Sequence, residues 1–414
     1  MRIAVVNNFF PPRPGGSAHL AQHLAKKYAA AGHEVLVLTA TYGEAPREET
    51  KDGIRIVRIP AWTLPKTRFA ANFDIGFVSS PSAKRRVFEL LDAFAPDVVH
   101  QHGQFFDLTW LSGWWARKRR VPTLLSIHTR LESPLSKFNS FVYGVADRML
   151  VAPLMRVHRP KLVVMDILMD RYIDKRYARC ISGKVNIPVG IDPAVMRGGD
   201  ASVAIAKLGQ PGKRIIVSIG HVIPQRSRIA LVRALPQILV EHPDTLVVVV
   251  GGVYHDEFLK IAAELDVEHA VVALGALPQA EVPDYLAAAE IEVHELEGGG
   301  FGTASLEALA SGIPVIAAIE PDNFLDLVVE SGRELFIVPP VSSKDPGADP
   351  VALAALINQI LDNPEATREA VSMNARAFID QNFTIDAVAG RHLEVLKELA
   401  EELIQTGSRS NRAG

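Results

Sequence analysis

The densest chemistry in the chain lies in Glu295–Ala318, ELEGGGFGTASLEALASGIPVIAA. Gly298, Gly299, Gly300 and Gly302 let a backbone turn tightly and approach a ligand with no side chain in the way. The spacing that follows predicts a helix opening at Gly302 or Thr303, with Leu306, Leu309 and Ala310 on one face. Gly312 stands where a left-handed cap closes that helix, and Pro314 forbids its continuation. Val315–Ala318 then reads as a buried parallel strand. A glycine loop feeding a helix N-terminus is an anion site, because the free N–H groups of Gly302, Thr303 and Ala304 and the positive dipole end converge there. Glu307, one turn in, is placed to reach past an anion toward neutral hydroxyls. The plainer alternative is a tight loop that only lets a helix pack.

Other reactive side chains sit at predicted strand ends. His128 follows the strand Val121–Ile127, and strand C-termini in open α/β sheets face the ligand crevice. His100 and His102 are two apart and share one face of their strand. A metal pair there lacks a third ligand at useful spacing, so a polar strand end is the better reading. Gly15-Gly16 close a ten-residue loop after the first strand. Arg226 and His221 lie between the strand Arg214–Ile219 and a helix from about Arg228.

These residues need a scaffold, and the chain supplies alternating strands and helices. An apolar strand at 2–6, a helix at 18–31 with Ser17 as its cap, and a strand at Glu34–Thr39 form a βαβ unit. Its first turn lacks G-x-G-x-x-G, which argues against dinucleotide binding. Strands follow at 53–60 and 97–101, with a helix near 81–94. Trp110, Trp114 and Trp115 lie on a helix ending in Arg117–Arg120, read as core packing with a solvated basic end. Residues 132–180 predict helices and the strand Leu162–Met165. Pro193–Gly212 reads as linker, and Ser342–Asp349 as a polar loop. Helices at 350–362 and 365–381 precede a last helix at about 385–403.

At 414 residues the chain is long enough for two domains. A single cysteine, Cys180, excludes a disulfide framework and a cysteine zinc site. No run approaches a membrane span; the nearest candidate, Thr245–Val250, is six residues long, so the expectation is a cytoplasmic protein, with membrane-peripheral association left open. Residues 1–190 hold 28 Lys and Arg against 15 Asp and Glu, net +13, whereas the remainder is net −16. A basic half facing an anionic acceptor or an acidic membrane surface is one reading, and a merely solvated basic face the other.

The glycine–helix motif resembles that of family 4 glycosyltransferases, E-G-F-G-x-x-x-x-E-A-x-A-x-G-x-P-V. The matching residues are Gly300-Phe301-Gly302, Glu307-Ala308, Ala310, Gly312 and Pro314-Val315. Val185–Asp192 is similar to the family's I-P-N-G-V-D, with Val189 for Asn. Gly220–Arg226 is similar to G-R-x-x-x-x-K, with His221 at the arginine and Arg226 at the lysine. The likeness runs from Met1 to about Leu403. One residue departs: the family's first glutamate is Gly299 here, and Glu297 stands two residues earlier.

The resemblance implies an α/β GT-B fold with two Rossmann-like domains facing across a cleft. Residues 1–190, joined by a helix from about 385–414 crossing back, would bind the acceptor, and 193–384 a sugar nucleotide. It further implies retaining transfer from a UDP-, GDP- or other nucleoside-diphosphate sugar, with no metal required and no nucleic acid partner. The acceptor class covers a small molecule, a lipid-linked compound or a glycan, in bacterial glycan, glycolipid or secondary-metabolite synthesis. Arg226 and His221 would hold the pyrophosphate, Glu307 the ribose hydroxyls, and His128 the sugar. Gly15 and Gly16 would approach the donor phosphate or acceptor. The flexibility of Gly298, Gly299 and Gly300 would let Glu297 swing over the sugar in place of the glutamate absent at Gly299; the alternatives are that the sugar hydroxyls meet only backbone N–H groups and water, or that catalysis is lost. Phe301, Thr303 and Ala304 complete the donor loop. In the family the leaving phosphate is thought to help deprotonate the acceptor on the same face. Two alternatives stay open: a GT-B sugar-nucleotide 2-epimerase, and a non-catalytic nucleotide-sugar-binding scaffold.

Overall fold

The computed structural model describes residues 1–13, 16–63, 76–130, 137–224, 226–293, 296–297, 300–342 and 345–410. The chain divides into two units. The first comprises Met1–Met165, Met169–Gly190 and Ile385–Gly414; the second comprises Asp166–Leu168 and Ile191–Thr384.

The first unit is built on one sheet of β1 Arg2–Asn7, β2 Glu34–Ala40, β3 Glu48–Lys51, β4 Ile54–Ile59, β5 Val98–His102, β6 Thr123–Ser126, β7 Lys161–Val164 and β8 Gly183–Asn186. Their order is β8-β7-β6-β5-β1-β2-β4-β3. All pairs are parallel except β3 with β4. The charged sequence EETK of β3 carries no apolar run, so periodicity misses it; charge on an edge strand discourages further pairing. Both sheet faces are apolar, as buried parallel strands require. Ile3, Val5, Val35 and Val37 pack with the helices Gly16–Ala30 and Ile385–Ser410. Ala4, Val6, Leu36 and Leu38 pack on the other face with Pro81–Phe94 and Asp107–Arg119. The first helix begins at Gly16, which puts Ser17 inside it and not at the cap. Trp115 is buried in the second of these layers, and its ring N–H donates to Asp92 at 2.8 Å.

The second unit has a wholly parallel sheet: β9 Arg214–Ile219, β10 Thr245–Val250, β11 Val271–Gly275, β12 Ala289–Val293, β13 Val315–Ala317 and β14 Phe336–Ile337. Its order is β11-β10-β9-β12-β13-β14. Pro193–Gly212 is not a linker. It forms the helices Pro193–Met196 and Ala201–Leu208, and Met196 and Ala204 enter the core. Gly199 and Asp200, within the stretch that reads as linker, serve local geometry instead: a Cβ on Gly199 would lie 2.0 Å from Pro283 O, and Asp200 caps the helix through Ser202 N. The expected polar loop Ser342–Asp349 is largely strand where it is described: Asp345–Ala348 pairs antiparallel with Pro340–Ser342, and residues 343–344 lie outside the described residues.

In each sheet the strand order reverses once, between β1 and β5 and between β9 and β12. The loops leaving those neighbouring strand ends diverge, and the crevice between them is where open α/β sheets place ligands.

Candidate active site

In the second unit, the loops at the switch point carry the residues singled out from sequence. β9 ends at Ile219, and Gly220–Arg228 leads into the helix Ile229–Glu241. Arg226 N donates to Ile223 O at 2.8 Å, which makes a tight turn. Sequence reading takes Arg228 only as a helix start, yet this cation is buried and has a left-handed backbone, φ 63°. Its guanidinium donates to Ser218 Oγ at 2.9 Å, Arg226 O at 2.7 Å and Gly220 O at 2.9 Å. Three donors on a planar fork fix the loop that presents Arg226.

Glu297 meets the same loop from the β12 side. Its Oε1 accepts from Ser227 N, Ser227 Oγ and Arg228 N, while its Oε2 is buried without a hydrogen-bond partner. Burial pushes its pKa up, opposed by those hydrogen bonds and by Arg228. In this geometry Glu297 anchors the loop beside Arg226, so the expected swing over a sugar is not what this oxygen does. Gly299 lies outside the described residues.

The helix Thr303–Ser311 opens after Gly302, whose extended backbone offers no side-chain cap. Gly302 therefore brings no side chain to cap the first turn, whose N–H groups suit an anion. Gly300 has φ 96°, a conformation that favours glycine, and a Cβ there would sit 3.6 Å from Asp166 Oδ2. Asp166 approaches only through the fold, from more than a hundred residues away. Phe301 packs edge-on against Phe324 at 5.5 Å, which ties the loop to the core. Glu307 accepts from Gln279 Nε2 at 3.2 Å, and burial raises its pKa to about 7.

His221 is exposed, and its Nδ1 accepts from Gly252 N at 3.2 Å. Its ring lies 5.4 Å from Tyr254, edge to face. Burial, then the charges of Arg226 and Arg228, lower its pKa. A neutral ring that accepts at Nδ1 carries its proton on Nε2, so His221 offers a hydrogen bond in place of the family's charge.

In the first unit, register brings three strand ends abreast: Asn7 is level with His102, and His102 with Ser126. Two residues beyond Ser126, His128 Nε2 lies 3.0 Å from His102 Nδ1, with the rings parallel and 5.3 Å apart. His102 Nε2 is buried with no partner. A bare buried acceptor is better tolerated than an orphaned N–H. His102 therefore donates through Nδ1, and His128, accepting at Nε2, keeps its proton on Nδ1. Burial lowers the His128 pKa to about 4. His100 and His392 join this cluster, their rings 5.1 Å apart; His392 comes from the last helix, beyond any local spacing rule. Gly16 opens its helix close by, where Asn7 Nδ2 donates to Ser17 O at 3.2 Å; Gly15 lies outside the described residues.

Two family models match the chain: a glycosyl transferase 4-like domain over residues 15–165 and glycosyl transferases group 1 over residues 203–378. Together they span well over half of the sequence. The chain belongs to the family 4-type glycosyltransferases. This glycosyltransferase is 26% identical over 341 residues to the alpha-monoglucosyldiacylglycerol synthase of Streptococcus pneumoniae, covering 78% of this chain and 72% of that one. Its fold matches sucrose-phosphate synthase from Thermosynechococcus elongatus with a TM-score of 0.70 at 21% identity, over 96% and 98% of the two chains. It also matches Anabaena HepE in complex with UDP and glucose, with a TM-score of 0.67 at 19% identity, over 96% and 100%. The glycosyltransferase thus has the GT-B fold and is an enzyme of the hexosyltransferase type.

Proposed function

We propose that the enzyme moves a hexosyl group from a nucleoside-diphosphate sugar to an acceptor hydroxyl with retention of configuration. The observation that carries this reading is the switch point of the second unit. It gathers the Arg226 turn held by Arg228, the start of the Thr303–Ser311 helix after Gly302 and the Glu307 carboxylate at the ends of adjacent strands.

The chemistry follows from charge. The leaving group is a diphosphate, and its developing charge needs fixed donors while the anomeric carbon gains oxocarbenium character. Arg226 supplies charge and bidentate geometry. His221 supplies an Nε2–H, and the first-turn N–H groups at Gly302–Ala304 complete the cradle. Glu307 accepts from the nucleotide ribose. In the first unit, neutral His128 presents Nδ1–H to the donor sugar. These roles place leaving-group stabilisation on the protein, so the reaction proposed here uses no metal ion; activity unchanged by a chelator is the expected outcome.

The UDP in the HepE structure supports a nucleoside-diphosphate donor. The glycolipid synthase among the relatives supports a lipid-linked acceptor, in keeping with the net +13 of residues 1–190. Among the described residues no helix is long and apolar enough to cross a membrane, so contact with lipid would be peripheral. Relatives carry synthase and glycosyltransferase names, which disfavours the 2-epimerase and the non-catalytic scaffold. A thermal-shift screen of nucleoside diphosphates and their sugars tests the reading. A true ligand at a hundred times its Kd raises stability by about 2.7 kcal/mol. Absence of any nucleotide response, together with no transfer from UDP- or GDP-hexoses, defeats it.

A further inference from the structure

The helical stretch 137–158 of the first unit is turned with its apolar side outward. It runs as Lys137–Ala146, a π-helical turn Asp147–Val151 and Ala152–His158. Phe141, Val145 and Met149 recur every fourth residue and are exposed, Phe141 by 68% and Met149 by 74%; Val142 and Leu150 are exposed beside them. The inward stripe, Asp147, Val151 and Met155, also recurs every fourth residue and is fully buried. Its leading member is a carboxylate. Tyr172 Oη donates to Asp147 at 2.9 Å, Tyr177 Oη donates to it too, and Arg176 Nε lies 3.8 Å away.

Leaving Phe, Val, Leu and Met in water, while one buried position beside Val151 and Met155 holds a carboxylate, departs from the usual preference. The Asp147 anchor fixes that phase, and a contiguous exposed apolar face signals a partner. The charges around it say which kind. Arg148, Arg156 and Arg159 are exposed, while Asp147 is the sole acidic residue from Lys137 to Pro160 and it points inward. Exposed apolar side chains and exposed arginines on one stretch, with no outward acid along it, match a surface of acyl chains under anionic headgroups.

We propose that Phe141, Val145 and Met149, flanked by Arg148 and Arg156, form a docking face for an anionic lipid bilayer. The inference rests on the lipid-acceptor reading above and gives it a place on the chain.

The test is sedimentation of the full-length protein with vesicles of phosphatidylcholine alone or with phosphatidylglycerol. The wild type binds the phosphatidylglycerol vesicles, and binding falls steeply from low to physiological salt. Phe141→Ser with Met149→Ser lowers vesicle affinity by about tenfold or more even at low salt. Arg148→Glu with Arg156→Glu removes the preference for anionic lipid. Met149→Trp in the otherwise native chain gains blue-shifted emission on vesicles and is quenched by brominated lipid. Nucleoside diphosphate binding stays at the wild-type level in all of these, so loss of nucleotide binding in the native chain is a separate failure of the transferase reading. No vesicle binding by the wild type, equal binding by the serine variant, or an emission spectrum of Met149→Trp that vesicles leave unshifted overturns the proposal. So does a self-association of the native chain that the serine variant abolishes without changing its vesicle binding.

Discussion

Glu297 and Ser227 lie seventy residues apart in sequence, and Glu297 Oε1 accepts both the backbone N–H of Ser227 at 2.5 Å and its hydroxyl at 2.8 Å. The same oxygen accepts from Arg228 N at 3.2 Å. One carboxylate oxygen thus ties the β12 exit to the residue that follows Arg226. Glu297→Ala should therefore weaken nucleoside diphosphate binding by roughly tenfold, because the Arg226 turn loses its brace. Glu297→Gln keeps an acceptor oxygen for the same donors and should restore most of the affinity. A sugar-contacting carboxylate predicts the opposite division: diphosphate affinity untouched by the alanine, and turnover not rescued by the amide. Calorimetry with the bare diphosphate decides.

Burial holds Glu307 near pKa 7, above its ordinary 4.5. A raised carboxyl pKa means the protonated form is the one folding favours. The stability it gives is fully present below 4.5 and is lost as pH rises through about 7. Glu307→Gln should abolish that loss, seen as a flatter plot of melting temperature against pH over this range. Ribose hydroxyls donating to the carboxylate favour its ionised form, so nucleotide affinity in the wild type should rise with pH through about 7. The glutamine variant serves as the control, because the phosphate's own titration persists in it. Identical pH profiles for the two proteins would remove Glu307 from the ribose site.

Arg226→Ala should cost donor affinity roughly tenfold to a hundredfold, the loss expected of a charge-assisted contact to phosphate, with little change in melting temperature. Arg226→Lys should be milder, since it keeps the charge. His221→Asn should weaken binding less than Arg226→Ala, because a neutral donor replaces a neutral donor. Unchanged donor binding and turnover in Arg226→Ala would take the phosphate away from this turn.

The histidine cluster makes the first unit sensitive to acid. Burial lowers the pKa of His128 and His392 to about 4, and holds His100 and His102 well below the ordinary 6.5. A depressed histidine pKa gives stability that is present above 6.5 and lost as pH falls toward the folded value. Melting temperature should drop between pH 6.5 and 4, and His392→Leu should make that drop shallower. An equal slope in the variant would show that His392 does not share in the titration.

The order of elements, both strand-end loops and the glycine–helix motif are legible in the sequence because they rest on local rules. Apolar runs of five or six residues make buried strands, Gly312 and Pro314 end a helix, and a glycine loop before a helix start makes an anion site. His128 is likewise locatable, since a strand end in an α/β sheet faces the crevice. What each side chain touches is not local. Glu297 is drawn to Ser227 because β9 and β12 are neighbours in the sheet, although two strands intervene in sequence. Arg228 reads only as a helix start, but the left-handed turn before its helix buries it on Ser218 and Gly220. Pro193–Gly212 carries linker composition, and only the core it joins shows it to be helical. The outward face at Phe141 and Met149 is set by Asp147, whose partners Tyr172, Arg176 and Tyr177 lie a strand and a helix further on. Period alone marks that helix as amphipathic and would turn the apolar side in. The buried carboxylate reverses the choice, because hydrogen bonds and a nearby guanidinium offset its desolvation only in the folded unit.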